Sequence, residues 1–232
     1  MIRKANRDDW PSISEVSRRS GYEDYINEIG ISYLDEGEVI VFEEEKIKAF
    51  AKMEFLPDNA IWFSGMRVDP DYWRSGIGFK LTEYSLKYAV ERKCTTARLL
   101  VFDDNFRSLN LVEKMGFRKI QKYRFIRGVP DLKDFDQQEY LVNQGLFNHN
   151  WVFIDASKTP GINSVLNKRD RWKIIKGESM TFEILSTGDG KIFLDGNGFT
   201  CAKDSVDLSG SIYGYDELSV TSGYILEKTL PE

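Results

Sequence analysis

Histidine and cysteine are almost missing from this chain of 232 residues, which has the single histidine His149 and two cysteines, Cys94 and Cys201. The cysteines are far apart and form no C-x-x-C spacing, so neither a disulfide framework nor a zinc knuckle is suggested, and reduced thiols are expected. One histidine in a polar stretch, with no G-x-S-x-G elbow anywhere, gives no support to a Ser-His hydrolase and no basis for a metal cluster. No run approaches the roughly 18 apolar residues that a membrane span needs. The opening residues MIRKANRDDW hold no apolar stretch of signal-peptide length, and the expectation is a soluble, cytoplasmic protein with no membrane partner. A basic excess is lacking too: 32 Lys and Arg against 37 Asp and Glu leave a formal charge of -5. That balance argues against a nucleic-acid partner, because phosphate affinity is built from clustered cations.

What the chain does contain is a mixed pattern. MIRKA predicts a short edge strand, and NRDDWPSISEVSRRSG predicts a helix with Pro11 in its first turn, Gly21 at its end and an apolar stripe of Trp10, Ile13 and Val16. A second helical run places Tyr22, Tyr25, Ile29 and Tyr33 on one side. Residues 38–70 then change to short apolar runs broken at Glu43 to Lys46 and at Pro57 to Asn59, a pattern of three antiparallel strands. From Gly78 to Arg92 the period is helical again, with Ile77, Leu81, Tyr84 and Tyr88 along one side. TTARLLVF reads as a buried strand, NFRSLNLVEKMGF as a helix closing at Gly116, and RKIQKYRFI as a further strand. The fold class is therefore α/β with a mixed sheet and one strand-helix-strand crossover.

The crossover contains DPDYWRSGIGFK, residues 69–80. A glycine pair in a loop that leads directly into a helix leaves backbone amides bare and pointing at one spot, with the helix dipole adding positive potential. Arg74 adds a fixed cation and Ser75 a further donor, so a diphosphate is a natural guest. The other reading of Gly76 and Gly78 is a tight turn where helix and strand pack closely. The loop is neither the lysine-bearing loop of NTPases nor G-x-G-x-x-G.

Joined to the preceding strand, MRVDPDYWRSGIG resembles the acetyl-CoA signature of the GNAT family of N-acetyltransferases. Met66, Val68 and Pro70 match the end of that family's strand, and Arg74, Gly76 and Gly78 match its loop; Trp73 stands where the family most often has Gln or Arg. Downstream, NFRSLNLVEKMGF resembles the family's second motif through Asn105, Ser108, Leu111, Gly116 and Phe117. The resemblance covers about the first 128 residues. It implies a GNAT-like catalytic domain over residues 1–130, with acetyl-CoA as cosubstrate and no metal. It also implies a splayed strand whose Met66 and Val68 receive the pantetheine arm by strand addition. The cofactor residues so implied are Met66, Arg67, Val68, Arg74, Ser75, Gly76, Ile77, Gly78 and Asn105.

Where many family members carry a tyrosine that protonates the departing CoA thiolate, this chain has Val112. Ser108, Tyr84 and Tyr123 are the candidates for that role, the tyrosines serving equally well as core aromatics. Glu54 is the candidate base for the amine, and a surface charge if its strand turns it to solvent. Asp103 and Asp104 lie at the end of the following strand, where the plainer reading is a helix cap. The basic run with Lys168, Arg169, Arg171, Lys173 and Lys176 reads first as a solvated face.

Residues 131–232 are expected to form a smaller α+β domain. It begins with a polar linker, has strands at WVFID, WKIIK, MTFEIL, KIFLDGNGFTCA and SGYILEK, and a short helix at GINSVLNK. Substrate selection, a degenerate second copy and homodimer formation are the roles open to it. The function expected is acetyl transfer to a primary amine of a small molecule or peptide; the alternative is a non-catalytic acyl-CoA-binding sensor.

Overall fold

The computed structural model describes residues 1–22, 25–127, 129–130, 146–149, 151–159, 163–166, 172–176, 181–186, 192–194, 199–205, 212–213 and 221–231. β1 (Ile2–Lys4), β2 (Glu38–Glu44), β3 (Lys46–Phe55), β4 (Ala60–Val68) and β5 (Thr96–Phe102) lie side by side in that order. Each neighbouring pair is antiparallel except β4 and β5, which are parallel. Between β1 and β2 come α1 (Trp10–Arg19), α2 (Tyr25–Ile29) and a 3-10 segment, Gly30–Leu34. The parallel pair needs a crossover, supplied by α3 (Ile77–Glu91). α4 (Phe106–Lys114) follows β5 and leads into β6 (Arg118–Arg127).

Four consecutive residues of β2, Val39 to Phe42, are buried, as befits a strand covered on both faces. Ile40 and Phe42 pack with Met53, Ile61, Leu81, Leu99, Leu109 and Val112 under α3 and α4. Val39 and Val41 pack with Ile13, Val16, Ile26, Tyr33 and Phe50 under α1 and the 3-10 segment. The buried positions after α1 are Ile26 and Tyr33, whereas Tyr22, Tyr25 and Ile29 are exposed. The expected helical stripe fails because the run changes from α to 3-10 pitch after Ile29, which shifts the phase of the face it presents.

Later strands are β7 (Val129–Pro130), β8 (Leu146–His149), β9 (Val152–Asp155), β10 (Asn163–Leu166), β11 (Trp172–Lys176), β12 (Thr181–Ser186), β13 (Ile192–Leu194), β14 (Phe199–Lys203), β15 (Ile212–Tyr213) and β16 (Thr221–Thr229). The helix expected at GINSVLNK is instead an edge strand: Asn163–Leu166 pairs in full with β11, and this ladder prevails over local pattern. The expected linker at 131–145, and Lys168, Arg169 and Arg171, lie outside the described residues.

The sheet runs on across residue 130. Beyond β5 its order is β16, β6, β14, β13, β12, β11, β10, so the last strand of the chain sits between β5 and β6. β16 pairs with β5 from Thr96 to Phe102 and with β6 from Arg118 to Phe125. A buried ion cluster sits at this insertion. The fully buried Arg98 on β5 donates through Nη1 to Asp58 at 2.8 Å and to the Phe153 carbonyl at 2.7 Å, and through Nε to Glu227 of β16 at 2.6 Å. Asp58 also accepts from the Asp155 amide at 2.8 Å.

Removing one partner of a buried ion pair leaves an uncompensated charge. Asp58→Ala is expected to lower the unfolding free energy by about 3–5 kcal/mol, measured by denaturant melts, with part of the loss recovered in the Arg98→Met, Asp58→Ala double variant.

Candidate functional site

β4 and β5 form a fork. Their parallel pairing runs only from Ala60 to Phe63 against Thr96 to Leu99, although β4 continues to Val68 and β5 to Phe102. The cause lies in the ladder between β3 and β4. Phe50 faces Arg67 but Lys52 faces Ser64, so Gly65 and Met66 together oppose Ala51. Such a bulge bends its strand. Gly65 has φ +58, and a Cβ there would collide with the Tyr33 hydroxyl, so both the backbone and the neighbour require glycine.

The upper end of one arm is fixed by the loop that follows β4. Arg19 at the end of α1 holds Asp69 and Asp71, each at 2.7 Å, and Asp69 accepts from the Asp71 amide. The Trp73 indole donates to the Val68 carbonyl at 2.8 Å, and the Arg107 guanidinium of α4 lies 4.1 Å from its ring centroid. Trp73 thus ties the loop to β4 and to α4. Ser75 spends its hydroxyl on the Tyr72 carbonyl.

Gly76, at φ +80, is the N-cap of α3, and the Lys80 amide is the one that reaches the Gly76 carbonyl. The amides of Ile77, Gly78 and Phe79 belong to the first turn and have no partner within the helix. The Ile77 side chain is buried in the core, so only its backbone faces the loop. At Gly78 a Cβ would meet nothing closer than Leu111 Cδ2 at 3.4 Å, an ordinary contact. Open space is found instead at Gly76, where a Cβ would meet nothing within 4 Å.

On the other arm, Asn105 caps α4 by accepting from the Ser108 amide at 3.1 Å. Its amide nitrogen donates to the Tyr22 hydroxyl at 3.1 Å, and the Arg67 guanidinium of β4 lies over the Tyr22 ring at 4.3 Å. Tyr22 therefore spans the mouth of the fork, a role that no spacing in the sequence signals.

Glu54 is half-buried on β3, and burial pushes its carboxyl above the usual range, with the Lys52 charge and the Ser64 hydroxyl pulling the other way. Ser64 Oγ donates to it at 3.4 Å. Since Ser64 is the first residue of β4 beyond the paired segment, Glu54 stands beside the apex of the fork. Its strand neighbour Met53 packs under α3 and α4, so Glu54 projects to the opposite face from α4 and the structure does not bring it together with Ser108.

Tyr123 is a buried core aromatic; Tyr84 packs against the core and stacks on Tyr88. Asp103 is held below the usual carboxylate range by Ser222 and Lys122. With Asp104, Phe106, Glu113, Lys119 and Tyr224 it lines a groove of about 490 Å³ that includes no residue of the fork's β4 arm. Among the described residues no group of His, Cys, Asp and Glu could hold a metal ion, and no helix is long and apolar enough to cross a membrane.

Residues 1–117, the span that contains the fork, the glycine loop and α4, match the model of the acetyltransferase (GNAT) family. The chain belongs to the GNAT family. Seventy-four of its residues are 35% identical to the [Ribosomal protein bS18]-alanine N-acetyltransferase of Escherichia coli (strain K12), a match covering 32% of this chain and 49% of that protein. The chain thus spans about half the length of the curated relatives it matches. A crystal structure from Thermoplasma acidophilum, provisionally described as an acetyltransferase, aligns over 99% of both chains with a TM-score of 0.62 at 15% identity, so the whole architecture, C-terminal strands included, is a shared fold. A Thermoplasma acidophilum paia N-acetyltransferase in complex with coenzyme A aligns over 52% of this chain and 91% of its own, with a TM-score of 0.46 at 19% identity.

In this GNAT chain the bulge residue is the one that sequence reasoning passed over, although a lone glycine inside a strand pattern is the ordinary sign of a bulge. Gly65→Ala is expected to melt lower than wild type. Adding Tyr33→Phe removes the clash but not the backbone strain of about 1–2 kcal/mol. Thermal melts of the two single variants and the double variant separate these contributions.

Proposed function

We propose that the chain is an acetyl-CoA-dependent N-acetyltransferase that transfers acetyl directly to a primary amine of a small molecule or peptide. The observation that carries this reading is the fork between β4 and β5, opened at Gly65 and flanked by the bare first turn of α3. The fit to acetyl-CoA is supported by the first turn of α3, whose amides have no partner within the helix and whose N-cap Gly76 faces open space.

Acetyl-CoA supplies an activated thioester. The amides of Ile77, Gly78 and Phe79, with the exposed Arg74, take the diphosphate. The open edge of Met66, Arg67 and Val68 takes the pantetheine amides as an added strand, and Asn105 closes the other side. Most of the rate then comes from holding amine and thioester in line and from backbone donors at the thioester oxygen. Glu54, poised above the usual carboxylate range at the fork's apex, takes a proton from the acceptor's ammonium, directly or through a water, and so frees the amine lone pair to attack the thioester carbonyl. Ser108 offers a hydroxyl on the α4 side for the leaving thiolate. Val112 is buried in the core and offers none. That residue favours one other reading, an acyl-CoA-binding sensor that binds without turnover.

The deciding assay is release of CoA thiol from acetyl-CoA against a panel of amines. Amine-dependent release establishes the transferase, and binding without release on any amine establishes the sensor. Gly78→Ala, whose Cβ fits in ordinary contact with Leu111, is expected to keep its melting temperature and to bind acetyl-CoA at least about tenfold more weakly, about 1.4 kcal/mol, by calorimetry; equal binding would contradict the diphosphate assignment.

Glu54→Gln carries two opposite signs. A carboxyl whose folded pKa is raised holds its proton more tightly folded than unfolded. Ionising it therefore costs stability, a cost absent below the unfolded value and fully developed once pH has risen through the folded one. Glu54→Gln is expected to raise stability at neutral pH while lowering kcat about a hundredfold or more and abolishing the acidic limb of the pH-rate profile. Melts and rates across pH check both.

A further inference from the structure

Lys52 is as deeply buried as a core residue, at 7% exposure, yet among the described residues no carboxylate lies within ion-pair distance of its ammonium. Its close partner is the face of Tyr33, 4.7 Å from the ring centroid. The contrast within the same sheet is sharp. Arg98 has two carboxylates and a carbonyl, and Lys48 on the same strand has Glu44 at 2.9 Å. A buried cation with no carboxylate in contact, and only the more distant charge of Glu54 beside it, is costly to keep, so its position invites a chemical reason.

That position is the acceptor side of the fork's apex. Lys52 faces Ser64 across the ladder and lies two residues from Glu54, on the same face of β3. Gly37 presses its backbone onto both side chains: a Cβ there would stand 2.8 Å from Glu54 Cγ and 3.1 Å from Lys52 Cε. Tyr33 covers Lys52 and the Gly65 bulge together. A half-buried carboxylate and a buried cation are thus held side by side at the apex of the fork.

We propose that the acceptor carries a carboxylate beside its amino group, as a free α-amino acid does, and that Lys52 is the residue that selects it. The inference rests on the N-acetyltransferase reading. The acceptor's ammonium addresses Glu54 and its carboxylate addresses Lys52, so each buried charge meets its opposite. A neutral amine leaves Lys52 without an anion, and a polyamine brings a second cation against it, so both are selected against.

The test pairs each of a set of amino acids with its C-terminal amide and with a diamine of similar size. Thiol release is measured on wild type, Lys52→Met and Lys52→Arg, and calorimetric binding on the CoA-saturated proteins. Wild type is expected to favour the acids over the amides by about tenfold to a hundredfold in kcat/KM. Lys52→Met is expected to abolish that preference through KM, Lys52→Arg to restore part of it, and Lys52→Met to melt no lower than wild type. Acids and amides used equally well by wild type, or Lys52→Met lowering kcat alike for all acceptors, would overturn the inference and leave the transferase standing. If no amine releases thiol, calorimetric binding of acids that is lost in Lys52→Met upholds the Lys52 site and sinks the transferase reading. Absence of both release and binding sinks both.

Discussion

The buried charge of Arg98 is the constraint from which the rest of the sheet is hung. A guanidinium with no exposed surface is tolerable only when carboxylates and carbonyls surround it, and here they come from three separated stretches: the β3–β4 turn, β9 and β16. Arg98 pairs with Trp62 one residue before the last parallel contact between β4 and β5, so the cluster lies just beneath the fork. The strands are free to part above it because they are held so firmly below.

Parting is then a matter of one extra residue. The bulge at Gly65 and Met66 bends β4 away, and Tyr33, brought over by the 3-10 segment after α2, occupies the space a side chain at Gly65 would need. The same tyrosine covers Lys52. The Gly65 bulge and the buried Lys52 are in this way coupled through a single aromatic ring. A change in the helical region between β1 and β2 would reach both.

Much of the first 127 residues was legible in the sequence, because each element there announces itself locally: the periods of β2 to β4, the proline of α1, the glycine closing α4. The start of α3 was legible for the same reason, since a glycine pair running into a helical period marks a helix opening. What stayed hidden depends on partners far away in the chain. SGYILEK reads as a strand, but nothing in those residues says that they lie between β5 and β6. Lys52 and Glu54 look like an exposed charged pair until Gly37 and Tyr33 are seen packed on them, and the tyrosines before β2 fall out of phase where the α pitch ends.

The place of β16 also sets an order of events in the life of the protein. Both fork motifs and the whole family-matching region have been made long before residues 221–229 exist, yet until those residues arrive β5 and β6 have no neighbour between them and Arg98 lacks Glu227. A chain folding from its first residues onward holds two unpaired strand edges until β16 arrives, a state that long-range topology makes slow to resolve and prone to wrong partners. A polypeptide truncated before β16 carries both motifs on strands β1 to β5 but leaves the far edge of β5 bare and Arg98 without Glu227.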